Sequence, residues 1–369
     1  MLNILIFLLI LSVLVVAHEF GHFIAARKMG VRVEKFSIGF GPVIFCRKGK
    51  ETDFLVCAFP LGGYVKLEGD NYEELKGTEH EFLSKAPGIK ALIVFAGPFF
   101  NLVLAFILFW IMAVFGIPRL GTTVSAVKED YPAYSAGILE GDKILKVNDK
   151  EVEFWDDMTE LIRKSGLPLS LTVQRGDTER TFELGLKGGN TLDEFGLKRN
   201  VPMVGIMADN SDVKIYREGF LRAVPVAFEL VVEKTMLLLK GFAYMITGEV
   251  NFKDSVAGPL GIYYITAQAA KIGILAIINL MAILNISLFV VNLIPFPILD
   301  GGHLFLFLLE KIRGKRINEK TEVVLSRIGM VVLGTLIIFV SYNDFVKFGS
   351  KIWNSKSSGQ VIEDIESGE

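Results

Sequence analysis

The 369-residue sequence predicts an α-helical membrane protein: four transmembrane helices, a membrane-associated β-hairpin region and one inserted extracytoplasmic α+β domain. Three observations carry this. The chain has four long apolar runs. With 51% hydrophobic residues, 22% charged residues and a mean hydropathy of +0.46, it is also too apolar for a soluble domain of this size. Between the second and third runs, positions 118–271 have ordinary polarity and their own turn punctuation. The net charge of -2 singles out no partner, and no nucleic acid is expected.

The first apolar run covers Leu2 to Ala26, the second Ala91 to Ile117 and the third Ile272 to Leu293. The fourth covers Ile328 to Val340, with a polar-aromatic extension to Phe348. A span needs about 20 residues, and the first three meet that length directly. The first has neither a basic leader nor a small-residue cleavage site before Ala17, so it reads as a retained helix and not a signal peptide. Arg27, Lys28, Arg32, Lys35, Arg47, Lys48 and Lys50 follow it, and Lys311, Arg313, Lys315, Arg316, Lys320 and Arg327 separate the third run from the fourth. Excess basic charge marks cytoplasmic loops, which leaves both termini and positions 118–271 on the outer side. Cys46 and Cys57 then lie in the cytoplasm, where a disulfide is not expected, and two cysteines without a CxxC give no thiolate zinc site.

Taken in order, positions 1–117 hold the first two spans and, from Val31 to Leu67, alternating β-formers broken by glycine. That stretch predicts several short strands, with a tight turn at Leu61-Gly62-Gly63. Positions 118–205 form the inserted domain. Its clearest part predicts a short helix, a Gly-Asp turn, a strand, a second turn at Asn148-Asp149 and an amphipathic helix to Ile162. Positions 206–271 read as amphipathic helices, the first too charged for easy insertion and suited to the membrane surface, the second starting at Gly258-Pro259. Positions 272–348 hold the last two spans, and an acidic tail, 349–369, follows.

The first span carries His18-Glu19-Phe20-Gly21-His22, an HExxH pattern. On a helix, residues four apart share a face, so both imidazoles can bind one metal ion while Glu19 reaches a water beside it. Three ionisable groups inside hydrocarbon are costly, about 2.5 kcal/mol or more for a charged acid at mid-span, which argues against a merely structural role. A third ligand is needed. Two candidates follow the third span. Pro295 and Pro297 must unwind the chain there, presenting Asp300 from a break, and His303 lies three residues on. His80 sits in a polar stretch and reads as surface.

HEFGH in the first span, FAGPFFN (Phe95 to Asn101) opening the second and NLIPFPILDGGH (Asn292 to His303) after the third resemble the site-2 protease family of intramembrane zinc metalloproteases, specifically the bacterial regulator of sigma-E protease group. The resemblance covers nearly the whole chain in order. It implies Zn2+ held by His18, His22 and Asp300, Glu19 as general acid/base and Asn292 contacting the substrate backbone. It further implies that the hairpin dips into the membrane and pairs with substrate. Ala133 to Asp142 is similar to the A-x-x-A-G-L-x-x-G-D signature of circularly permuted PDZ domains, with Ile138 for the leucine. One copy is visible, where proteobacterial relatives carry two. By the same resemblance the protein lies in the bacterial cytoplasmic membrane among its lipids. It would cut single-span proteins, such as pre-cleaved anti-sigma factors or signal-peptide remnants. Two other readings fit less. A silent PDZ scaffold would have lost a ligand or the glutamate, and an ion transporter gives no reason for HExxH opposite LDG.

Overall fold

A computed structural model describes residues 2–315 and 317–367. Arg316 of the basic loop and the side chains of the acidic tail lie outside the described residues. In chain order the elements are α1 (Leu2–Lys28), β1 (Val33–Lys48), β2 (Asp53–Leu67), α2 (Pro87–Phe115), β3 (Ile117–Leu120), β4 (Val124–Val127), α3 (Pro132–Ala136), β5 (Lys143–Val147), β6 (Lys150–Glu151) and α4 (Trp155–Lys164). There follow β7 (Leu169–Arg175), β8 (Thr178–Leu184), β9 (Lys187–Leu192), β10 (Lys198–Met203), β11 (Ile206–Ala208) and β12 (Val213–Tyr216). The chain ends with α5 (Ala223–Thr247), α6 (Phe252–Ser255), α7 (Pro259–Ile272), α8 (Ile274–Asn292), α9 (Asp300–Arg313) and α10 (Glu319–Ser367). Two compact units result, one of Met1–Met112 with Val224–Glu369, the other Ala113–Ala223.

Among the described residues, four helices are long and apolar enough to cross a membrane: α1, α2, α8 and the Glu319–Lys347 part of α10. The last starts nine residues before the apolar run at Ile328, because Asn318 caps it, its Oδ1 accepting from Lys320 N at 3.1 Å, and the charged turns that follow are good helix formers. Helix α1 stops at Gly30, whose φ of +68° suits glycine, with Val31 N bonding back to Ala26 O. Between α1, α8 and α10 runs α7, whose N-terminus is capped from another helix: the buried Asp344 of α10 accepts from Gly261 N at 2.8 Å.

The β region differs from the short strands expected. Two long strands turn at Gly49–Thr52, and each bends so that four short segments form. Val33–Ile38 faces 63–67 on one side and 53–56 on the other, while Val43–Lys48 faces 53–57. Leu61-Gly62-Gly63 is not a turn but the bend inside β2. Gly62 has φ +135°, and a Cβ there would stand 2.2 Å from the Phe40 ring. Glycine signals a positive φ, and local sequence does not distinguish a hairpin end from a bend. The hairpin lies along α1, from Arg27, paired with Glu51, to Ser12, whose hydroxyl donates to Pro60 O. That is a length of about 22 Å on the helix. Its far end exposes Phe40, Val43, Ile44, Phe45 and Phe59.

In the second unit, β6-β5-β7-β8 form one antiparallel sheet that buries Ile144, Leu169, Leu171 and Val173 against Met158 and Ile162 of α4. Asn148 and Asp149 both have positive φ, as a two-residue hairpin turn requires. Asp142, at the end of the Ala133–Asp142 stretch, is buried and takes two 2.7 Å bonds from Arg175 of β7. The unit reaches beyond position 205: β11 pairs with β4 and β12 with β3, so part of the 206–271 stretch read as helix is strand.

Candidate metal centre

Three acceptor atoms from distant parts of the chain converge in the first unit. His18 Nε2 lies 3.1 Å from Asp300 Oδ2, His22 Nε2 lies 3.6 Å from the same oxygen, and the two ring nitrogens are 3.2 Å apart. Each side chain is 13–17% exposed. The two histidines reach the point because they are four residues apart on α1. Asp300 reaches it because Pro295 and Pro297 end α8 and α9 restarts at Asp300 itself. There the carboxylate benefits from the positive end of the helix. Two glycines make the tight return feasible. A Cβ on Gly301 would stand 2.3 Å from Ile294 O, and one on Gly302 2.3 Å from Phe296 O. Ile298, between them and the prolines, is held at φ +90°, a strained conformation for a β-branched residue.

The chemistry of the three atoms fits a cation. His22 Nδ1 is 3.0 Å from Ile93 O, and a carbonyl only accepts, so the ring proton is on Nδ1 and Nε2 offers a lone pair. Asp300 Oδ2 is buried and has no hydrogen-bond partner. A tetrahedral ion with bonds of about 2.0–2.1 Å places its ligand atoms about 3.3–3.4 Å apart. The separations of 3.1, 3.2 and 3.6 Å bracket that value. Among the described residues this is the one group of three such ligands.

The rival third ligand goes elsewhere. His303 Nδ1 lies 3.9 Å from Glu322, which also accepts from Tyr72, and the histidine is more than a third exposed. His80 is exposed, its Nδ1 at 3.3 Å from Gly30 O. Glu19 is half-buried on α1 beside β2, where a Cβ on Gly63 would stand 3.6 Å from Glu19 Cγ. Asn292 closes α8, partly buried, and no hydrogen bond joins it to the three converging residues. Helix α2 supplies what sequence reading missed. Pro98 cannot bond to the carbonyl of Val94, and the carbonyl one residue earlier, on Ile93, accepts from His22. Gly97 lets α1 approach, since a Cβ there would stand 2.2 Å from His22 Nε2. A buried ion pair, Lys90 to Glu310 at 2.7 Å, also ties α2 to α9 and had no sequence signal.

Fold and site together define a membrane protein with four candidate spans and a group of two histidines and one carboxylate that could hold a metal ion. The chain belongs to peptidase family M50, whose model matches residues 6–336. "Putative zinc metalloprotease Cj1068" of Campylobacter jejuni is 34% identical over 91% of each chain. "Zinc metalloprotease RasP" of Oceanobacillus iheyensis is 26% identical over 92% of this chain and 97% of its own. The chain is a zinc metalloprotease of the site-2 protease family. Among solved structures it is also similar to the PDZ domain of an SdrC-like protein from Listeria monocytogenes, at 20% identity and a TM-score of 0.20, over 25% of this chain and 90% of that one.

Proposed function

We propose that this protease cuts peptide bonds within transmembrane segments of single-span membrane proteins, with His18, His22 and Asp300 as zinc ligands and Glu19 as general acid/base. One observation carries the reading: two of the ligands sit inside a 27-residue apolar helix, and the third opens the helix that follows another span after the break at 293–299. Substrate must therefore come to the ion within the membrane. Zinc, when bound, lowers the pKa of a water and polarises the scissile carbonyl. Glu19 takes a proton from the attacking water and passes it to the leaving nitrogen. Asn292 holds the substrate backbone. A helix shields its own peptide bonds, so the substrate has to be extended, and the bent β1–β2 sheet beside Glu19 offers strands to pair with it.

The basic loops favour a cytoplasmic hairpin and an outer, PDZ-like inserted domain in the bacterial cytoplasmic membrane. The three ligands and Glu19 all lie outside that inserted unit, which supports a filtering role for it and not a chemical one. The family resemblance points to pre-cleaved anti-sigma factors and signal-peptide remnants as the substrates. The test uses purified enzyme and one single-span substrate in lipid nanodiscs, with products read by mass spectrometry. Cuts should fall within the apolar segment, toward its cytoplasmic side, and Glu19→Gln should keep its zinc while losing cleavage. Cleavage confined to extramembrane loops would overturn the intramembrane reading.

A further inference from the structure

One stripe of α2 faces the two histidines. Ile93, Gly97 and Asn101 recur at intervals of four, the spacing that stacks residues on one helix face, and they meet His22 and His18, themselves four apart on α1. Ile93 gives its carbonyl to His22, and Gly97 leaves room for that ring. Asn101, fully buried, brings its side-chain amide to 3.2 Å from His18 Nδ1. Beyond Lys90 it is the one charged or amide side chain of α2. An amide buried in an apolar helix is costly unless its hydrogen bond serves something.

As placed, Nδ2 faces the ring and Oδ1 is buried without a partner. The oxygen and nitrogen of an amide have nearly the same shape, so turning it by 180° exchanges them and moves nothing else. Either way one atom faces His18 and the other has no partner, so the orphan atom does not choose between the orientations. The histidine chooses. With N–H toward Nδ1, the ring proton is forced to Nε2, which points at Asp300 and His22 and would have no lone pair for an ion. With Oδ1 toward the ring, Nδ1–H donates to Asn101 and Nε2 is free, the tautomer that Ile93 imposes on His22. We propose that Asn101 is a positioning residue for the zinc centre: its side-chain oxygen accepts from His18 Nδ1 and holds that ring in the metal-binding tautomer and orientation.

This inference rests on His18, His22 and Asp300 being the zinc ligands. The experiment measures the zinc dissociation constant of the full-length protein in detergent by competition with a chromophoric chelator. It compares wild type, Asn101→Leu, Asn101→Asp and His18→Ala. Leucine fills the space without an acceptor, and affinity should fall about 10- to 100-fold. Aspartate offers an acceptor at the same place and should keep wild-type affinity. In cobalt(II)-loaded protein the d–d absorption should change for Asn101→Leu and not for Asn101→Asp. The metal-free Asn101→Leu protein should unfold at the wild-type temperature or above it, because a half-satisfied buried amide has been removed. Wild-type zinc affinity in Asn101→Leu would overturn the proposal, and so would equal weakening in both Asn101 variants, which would indicate packing and not an acceptor. Zinc retained by His18→Ala would instead refute the ligand assignment beneath it.

Discussion

Replacing Gly97 by alanine tests the close approach of α1 and α2 at the metal centre. The added methyl would stand 2.2 Å from His22 Nε2, 2.4 Å from Cε1 and 2.9 Å from Cδ2. Comfortable contact needs about 3.5 Å, so the helices must part by roughly 1.3 Å or the ring must swing away. Parting the helices strains a packed interface by about 1–3 kcal/mol. Swinging the ring gives up the bond to Ile93, worth about 1 kcal/mol, and removes a ligand atom. The metal-free protein escapes that strain by letting the ring swing, so holding His22 on zinc restores it, and at 1.4 kcal/mol per tenfold binding weakens by roughly 5- to 150-fold. The assay is the zinc dissociation constant, with Gly88→Ala on the same helix as the control, because nothing lies within 4 Å of its Cβ position. Gly97→Ala binding zinc as tightly as Gly88→Ala would refute the reasoning.

Three further outcomes are expected. Asp300→Ala should lose zinc by elemental analysis while His303→Ala keeps it, since Asp300 converges with His18 and His22 whereas His303 faces Glu322. Lys90→Met should cost about 3–5 kcal/mol in thermal unfolding by leaving Glu310 buried and charged without its partner, and Lys90→Met/Glu310→Leu should recover most of that loss. In the inserted unit, burial pushes the Asp142 carboxyl up, but the Arg175 bonds and Leu139 N–H outweigh it and hold it below the usual carboxylate range. Because the folded value is the lower one, this stabilisation is complete above the unfolded pKa of about 3.9 and disappears as pH falls through the folded value. Hydrogen exchange of β5 and β7 should therefore rise as pH drops below about 4, after correction for the intrinsic exchange rate. Asp142→Asn should already exchange faster at neutral pH and respond less to acid.

Much of the site was legible from sequence because its determinants are local. His18 and His22 share a face through helix periodicity alone, and Pro295 with Pro297 forces the break that frees Asp300. The spans follow from run length, and the Asn148-Asp149 turn from two residues that tolerate positive φ. Other features depended on partners far along the chain. The acceptors that orient the two rings come from α2, more than 70 residues away, although a lone asparagine in an apolar run was a signal that could have pointed to one of them. Strands β11 and β12 are short and weakly patterned, and they exist because β4 and β3 pair with them across the inserted unit. The bend at Gly62 and the Lys90–Glu310 pair were decided the same way. Periodicity and turn chemistry act over a few residues and are written in one dimension. Which buried hydrogen-bonding group meets which is set only when the helices and strands close on one another, because desolvation then requires each group to find a partner.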